Sequence, residues 1–425
     1  MFDLEFHKFQ GAGNDFIVID NRNNQCAPTD DHRRQMCDRH FGIGADGVLE
    51  IQTSERADFR VLYFNSDGKE GSLCGNGCRC AIAFAWANGM RSSEDETGKK
   101  KRKGLERESG RRGDSSTATS EGESDGVATA LPVYHFEAAD GLHVGGVEHV
   151  GHEGHVTYFV NFRDMTSEGI KVYSGGEMFL DTGSPHHVTF VPSGLDELDV
   201  VRTGRQLRYG LYGQRGSNIN FVSEVTPEGR HAQLDGDRGM DVGPARLRVR
   251  TYERGVEEET LACGTGAVAV AIAHYLKESD TSLTAHTGGV TWRTHPGNDA
   301  GDPTRNNYDV TAESGDVTRL PAHGNGVSDG KPIRSAAARA RFDRKGDDAG
   351  NVEEIAMGRQ IQGTDVQRII LMKGGDLKIS FKAIKGTSSA DQAGLLTFTN
   401  IELSGPAELV FHGVYAVKRH QTWPS

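Results

Sequence analysis

The chain has no run of about 18 apolar residues, the length a membrane-spanning helix requires, so no transmembrane segment is expected. Met1-Phe2-Asp3-Leu4-Glu5-Phe6 has no basic segment leading into an apolar one, so no secretory signal is expected either. Basic residues are in deficit. The net charge of -12 over 425 residues argues against a nucleic-acid surface and against binding to anionic membranes. Cysteines are few, six in all, and three of them crowd together at Cys74, Cys78 and Cys80. That is not a secreted disulfide framework, and a reducing cytoplasm fits best. Gly42-Ile43-Gly44-Ala45-Asp46-Gly47 lacks the spacing of a dinucleotide-binding fingerprint. His186-His187 has no third ligand at metal-binding spacing, and neighbours on a strand face opposite ways, so no metal site is expected.

One phrase is present twice. Glu70-Gly71-Ser72-Leu73-Cys74-Gly75-Asn76-Gly77 and Glu259-Thr260-Leu261-Ala262-Cys263-Gly264-Thr265-Gly266 both read Glu, three residues, then Cys-Gly-x-Gly, and an Ala-rich apolar run follows each. Gly-x-Gly before a helix-forming run lets backbone approach a ligand and points the free N–H groups of a helix N-terminus at it. A Cys at that terminus feels the positive end of the helix dipole, which is expected to lower its thiol pKa. A lone Cys before a helix is more often a packing residue. The matched pair favours an internal duplication with two reactive thiols. Facing each other, they would flank one bound molecule and move a proton from one face of a carbon to the other.

The length allows two or three domains. Period-two alternation marks strands over 4–9 and 16–20, separated by the Gly-rich turn that holds Asn14 and Asp15. Thr29 and Asp30 open a helix expected to run to about residue 40. Strands follow at 48–51 and 59–64, and the helix after Cys74 is expected to end at Gly89. Residues 91–126 carry basic and acidic residues in equal number and almost nothing apolar, and read as a low-complexity insert. Strand patterns return from about 131 and continue to the second Cys phrase. Residues 279–365 read as an irregular insert with a short helix near 336–340, and strands resume at 369–372, 377–381 and 408–415.

The motifs Gly11-Ala12-Gly13-Asn14-Asp15-Phe16, Asn65-Ser66-Asp67-Gly68, Cys74-Gly75-Asn76-Gly77-Cys78-Arg79-Cys80, Gly183-Ser184-Pro185-His186, Tyr252-Glu253-Arg254-Gly255 and the second Cys phrase resemble the diaminopimelate epimerase family from end to end, the two inserts apart. The resemblance implies an α/β (α+β) fold of two pseudo-symmetric domains, each a sheet wrapped around a central helix, with the active site in the interdomain cleft. It implies an N-terminal domain over 1–140, a C-terminal domain over 141–404, and a final segment, 405–425, returning to the first. It implies epimerisation of LL-2,6-diaminopimelate to the meso isomer without a cofactor, on the way to lysine and peptidoglycan. By position, Cys74 and Cys263 are the acid–base pair. Asn14, Asn65, Gly75, Asn76, Asn218, Glu253, Arg254, Gly264 and Thr265 bind substrate, and His186 and Glu253 tune the thiols.

Ser184 and Gly47 depart from the family pattern, Ser184 where many members carry Asn and Gly47 where some carry a side-chain amide. A two-cysteine proline or hydroxyproline racemase is the alternative enzyme. A zinc-binding or redox-sensing protein built on Cys74, Cys78 and Cys80 is the alternative of another class. The expected partner is a small-molecule amino acid, with no nucleic acid or membrane, and a homodimer is the candidate assembly.

Overall fold

The computed structural model describes residues 2–24, 27–71, 73–92, 131–152, 154–173, 175–191, 193–225, 243–279, 285–286, 289–296, 306–313, 363–386 and 395–417. The first half contains β1 (Phe2–Gly11), β2 (Asn14–Asp20), α1 (Asp30–Cys37), β3 (Gly47–Gln52), β4 (Phe59–Asn65), α2 (Gly75–Ala87), β5 (Val133–Ala138), β6 (Gly141–Val150) and β7 (Val156–Asn161). Short strands β8 (Met165–Thr166) and β9 (Lys171–Tyr173) lead to the second half. That half contains β10 (Met178–Asp181), β11 (Pro185–Phe190), α3 (Val200–Tyr212), β12 (Asn218–Glu224), β13 (Ala245–Tyr252), β14 (Glu259–Thr260) and α4 (Gly264–Glu278). It continues through β15 (Ala285–His286), β16 (Gly289–Pro296), β17 (Asn306–Glu313), β18 (Gly363–Met372), β19 (Gly375–Lys385) and β20 (Leu396–Pro406). The last strand is β21 (Glu408–Val417).

The strand pairings expose the duplication. In the first half β1–β2 is antiparallel, β2–β3 parallel, β3–β4 antiparallel and β4–β5 parallel, and β5–β6–β7 is antiparallel. In the second, β10–β11, β11–β12, β12–β13, β13–β18 and β18–β19–β20 repeat that order of relations. Each parallel step needs a crossover, and helices α1 and α2 fill the first pair of crossovers as α3 and α4 fill the second. The halves join where β7 pairs with β20, and β21 lies antiparallel along β1. The fold is therefore mixed α/β, with two pseudo-symmetric halves.

Each half curls its sheet around one helix. Helix α2 is buried from Gly75 to Ala85 and α4 from Gly264 to Ala273. A helix apolar on every side has to be enclosed, and the alanines in both runs let strands approach from all directions. Helix α2 stops where Asn88 donates its Nδ2 to Phe84 O at 2.8 Å and Gly89 takes φ 60°, the left-handed turn its lack of Cβ permits.

Three features differ from the sequence expectation. Helix α1 ends at Cys37, short of residue 40, because the Asp38 carboxylate accepts from the N–H groups of His40 and Phe41 and folds the chain into a turn. Helix α3 was not anticipated. Its Gly204 and Gly210 and its many arginines mask the pattern, yet Asp199 caps it by accepting from Arg202 N at 3.0 Å, and Gly204 leaves room for the Tyr252 ring. Within 279–365, strands β16 and β17 form an antiparallel hairpin where irregular chain was expected, with β-branched and aromatic residues recurring along both. The expected low-complexity stretch beyond residue 92 and the expected helix near 336–340 lie outside the described residues.

Leu403 on β20 is fully buried between the first turns of the two central helices. Its Cδ2 lies 2.8 Å from the position a Cβ on Gly75 would take and 3.0 Å from that on Gly264. Leu403→Ala should lower the denaturant midpoint by the equivalent of about 2–5 kcal/mol with an unchanged m-value. A loss below about 1 kcal/mol would show that the helix ends do not rest on this side chain.

Candidate active site

Cys74 and Cys263 occupy the same place in the two halves. Each is the N-cap of its central helix, with φ/ψ of -119°/107° and -133°/108°. An N-cap side chain turns back toward the unpaired N–H groups of the first turn, and Gly77 N donates to Cys74 Sγ at 3.4 Å. The helices meet end to end at their glycines: a Cβ on Gly75 would lie 3.7 Å from the Gly264 Cα. Two helix N-termini therefore present their N–H groups to one place, and each thiol stands beside it.

The thiol pKa values correct one expectation. Cys74 is half-buried and its thiol is pushed up to about 11. Burial is the largest cause and the Glu253 charge adds to it. The N–H groups of Gly77 and Asn76 and the charge of Arg79 pull the other way without prevailing. Cys263 is buried and its thiol is pushed higher still, by burial first and then by Glu253, with a further contribution from Cys74. Loss of hydration outweighs the helix terminus at both sites. The thiolates, once formed, are correspondingly strong bases.

Around Cys74, the Asn14 amide is held by Asp46, whose Oδ2 accepts from Asn14 Nδ2 at 2.6 Å. A carboxylate only accepts, so the Asn14 carbonyl oxygen must face the other way. It receives Cys74 Sγ at 3.8 Å and Asn76 Nδ2 at 3.4 Å. Asn76 Nδ2 also reaches Ala262 O at 3.4 Å, which ties the first helix end to the segment just before Cys263.

Around Cys263, Thr265 Oγ1 lies 3.6 Å from Sγ and 2.9 Å from His186 Nε2. Thr182 fixes the same turn by donating to Thr265 O at 2.8 Å. His186 is fully buried, and burial with the charge of Arg254 pushes it down to about 3, so the ring is neutral at pH 7. Its tautomer follows from its neighbours. Thr251 donates to Asn220 Oδ1 at 3.0 Å, and Asn220 Nδ2 points at His187 O and at His186 Nδ1. Nδ1 thus accepts, and Nε2 keeps the proton and donates to Thr265 Oγ1. The Thr265 hydroxyl is left to donate toward Cys263. His187 faces the opposite side and bonds the Tyr212 hydroxyl through Nδ1 at 2.8 Å.

At the rim, Asn218 Nδ2 donates to Ser184 Oγ at 3.0 Å and Asn218 Oδ1 accepts from Arg254 N at 2.8 Å. The Arg254 side chain is exposed. Glu253 is half-buried, and its carboxyl is raised to about 7 by burial first and then by the charge of Asp46. Asn65 sits exposed at the end of β4 and makes no side-chain hydrogen bond to the other site residues. Gly47 leaves no room for a side chain, since a Cβ would fall 2.5 Å from Phe64 O and 2.6 Å from the Tyr63 ring. The sequence reading missed Asp46, Thr182, Asn220 and Thr251. Asn220 was within reach, because it shares a strand face with Asn218. Cys78 and Cys80 are buried in the core, and among the described residues no group of three or more His, Cys, Asp or Glu side chains is placed to hold a metal ion. Among them, too, no helix is long and apolar enough to cross a membrane.

The family profile described as diaminopimelate epimerase matches residues 6–110 and 178–298, more than half of the chain and both Cys phrases. The chain belongs to the diaminopimelate epimerase family. It is thus a member of a family of isomerases that work without pyridoxal phosphate. It is 37% identical over 279 residues to the diaminopimelate epimerase of Flavobacterium psychrophilum, covering 64% of this chain and 81% of that one. It is 38% identical over 270 residues to that of Chlorobaculum tepidum, covering 62% and 81%. With the enzyme of Methanocella arvoryzae it shares 33% over 299 residues, covering 68% and 88%.

Glu253 gives this family member a pH signature. Its pKa is raised from 4.5 to about 7 in the fold, so between those values the folded chain holds a proton that the unfolded chain releases. Its contribution to stability is complete below pH 4.5 and is lost as the pH rises through 7. Denaturant titrations should show the parent losing about 2–3 kcal/mol relative to Glu253→Gln across that window. Parallel curves for the two proteins would remove the raised carboxyl from the account.

Proposed function

We propose that the chain interconverts LL-2,6-diaminopimelate and meso-diaminopimelate, with Cys74 and Cys263 as the two acid–base groups. The observation that carries this reading is the meeting of two Cys-capped helix ends at Gly75 and Gly264. A substrate α-carboxylate at the joined N-termini would meet N–H donors from both helices. Those donors are already oriented toward the place where negative charge builds as the α-proton leaves, so no reorganisation is needed at that moment.

The proton balance is simple. One thiolate removes the α-proton and becomes a thiol. The thiol on the other side gives its proton to the opposite face of the carbon and becomes a thiolate. The return reaction runs the same path with the roles exchanged. The high thiol pKa values suit this chemistry, because a strongly basic thiolate reduces the mismatch with a very weak carbon acid. Thr265, oriented by His186, offers a hydrogen bond to Cys263 when it is ionised. Asn14, oriented by Asp46, accepts from Cys74 when it is protonated. Glu253 opposes both thiolates when charged and releases them when it carries its proton. Asn65, Asn218 and the Arg254 guanidinium are assigned to the substrate's amino and carboxylate groups, including those at its unreacting end. The site would then serve lysine and peptidoglycan precursor synthesis in the cytoplasm, where thiols stay reduced.

A substrate panel tests this. LL-diaminopimelate should be converted, and proline and trans-4-hydroxyproline should not. Cys74→Ala and Cys263→Ala should each lower kcat by at least about 100-fold. Racemisation of proline without conversion of diaminopimelate would reassign the substrate. Either variant retaining most of its turnover would remove that thiol from the chemistry.

A further inference from the structure

Arg79 lies on α2 one turn after Cys74, and none of its surface is exposed. Its Nη2 donates to Asn76 Oδ1 at 3.0 Å and its Nε reaches Pro406 O at 3.4 Å. Its Nη1 is buried without a hydrogen-bond partner, and no carboxylate among the described residues forms an ion pair with it. Two glycines lie against it at ordinary contact distance. A Cβ on Gly11 would come within 3.6 Å of Nη2, and one on Gly405 within 3.4 Å of Nε. A guanidinium stays protonated even here, so a full positive charge sits dry beneath the first turn of α2 with no carboxylate among the described residues paired to it.

The matching position of the second central helix has no such charge. The residue five positions after Cys74 is Arg79, and five positions after Cys263 stands Val268, also fully buried. At this buried position the duplicated helices therefore differ by one cation, and it lies on the Cys74 side.

We propose that Arg79 is a positioning residue that supplies the standing counter-charge for the anion formed at Cys74, and that it aims the Asn76 amide at the substrate side of the helix terminus. Asn76 Oδ1 is occupied by Arg79, so Nδ2 is the end presented to Asn14 O and Ala262 O and to any carboxylate bound there. Groups on every neighbouring element act on Cys74 or feel it. They are Glu253 beyond β13, Tyr63 on β4, Cys263 before α4, and Cys78, Cys80 and Arg79 on α2 itself, with Asp46 reached through Asn14. Glu253 opposes a charge on Cys74 and Arg79 favours it.

The inference rests on the reading of Cys74 as one of the acid–base pair, and its test separates the two. The parent, Arg79→Met, Arg79→Gln and Arg79→Lys would be alkylated with iodoacetamide from pH 7 to 11. The rate at Cys74 would be followed by peptide mass spectrometry, and epimerisation of diaminopimelate would be assayed in parallel. The neutral variants should alkylate at Cys74 at least about tenfold more slowly at a fixed pH, with the profile displaced upward by about one unit, while Arg79→Lys stays close to the parent. The kcat of the neutral variants should fall with the same displacement. Profiles that coincide across all four proteins would overturn the proposal, as would a displacement in Arg79→Lys as large as in Arg79→Met. If neither neutral variant folds, the Arg79→Lys profile decides: it must stay at the parent's position, and a shift of about one unit overturns the proposal. A parent that fails to epimerise diaminopimelate would strike the functional reading and leave the alkylation test of Arg79 intact.

Discussion

The contact between Gly75 and Gly264 governs the rest of this structure. Two helices can meet at their N-termini only if the residues at the junction have no side chains, because Leu403 and Phe162 already fill the space beside them. Unpaired N–H groups at such a junction are unfavourable unless something accepts from them. Enclosure of each helix by its own curved sheet holds the two ends together, and the β7–β20 pairing keeps the halves in register. The thiols inherit their places from this arrangement. As N-caps they cannot be anywhere else than beside the shared donors.

The duplication is regular in backbone and irregular in charge. Asn76 in the first half becomes Thr265 in the second, and Arg79 becomes Val268. The first thiol is served by an amide network that runs from Asp46 through Asn14. The second is served by a neutral histidine acting through a threonine hydroxyl. On the proposed reading, a reaction that inverts one carbon needs two groups of similar kind on opposite faces, and the repeated backbone would supply them. Distinguishing the two ends of a substrate needs asymmetry, and the side chains provide that.

Much of this was legible from residue patterns because the relevant signals are local. Period-two alternation located β1 and β2, strand patterns located β3 and β4, the Ala-rich runs located α2 and α4, and the repeated Cys-Gly-x-Gly located both caps. What escaped depends on burial, which no short window carries. The helix-dipole argument gave the wrong net direction for both thiols, since enclosure outweighs the N–H groups that the motif foretells. Helix α3 was hidden by its glycines, one of which exists to admit Tyr252 from another strand. Arg79 reads as one more basic residue after a cysteine until the sheet closes over it.

The central claim, that two groups on opposite faces handle the proton, is tested most directly by running the reaction in heavy water at low conversion. LL-diaminopimelate would be supplied unlabelled, and both isomers recovered before equilibrium. A proton taken by one thiol and a different one returned by the other predicts meso product deuterated at the inverted carbon and LL substrate still unlabelled. Deuterium entering the LL pool as fast as the meso isomer forms would mean that a single group removes and returns the proton, and would contradict the account.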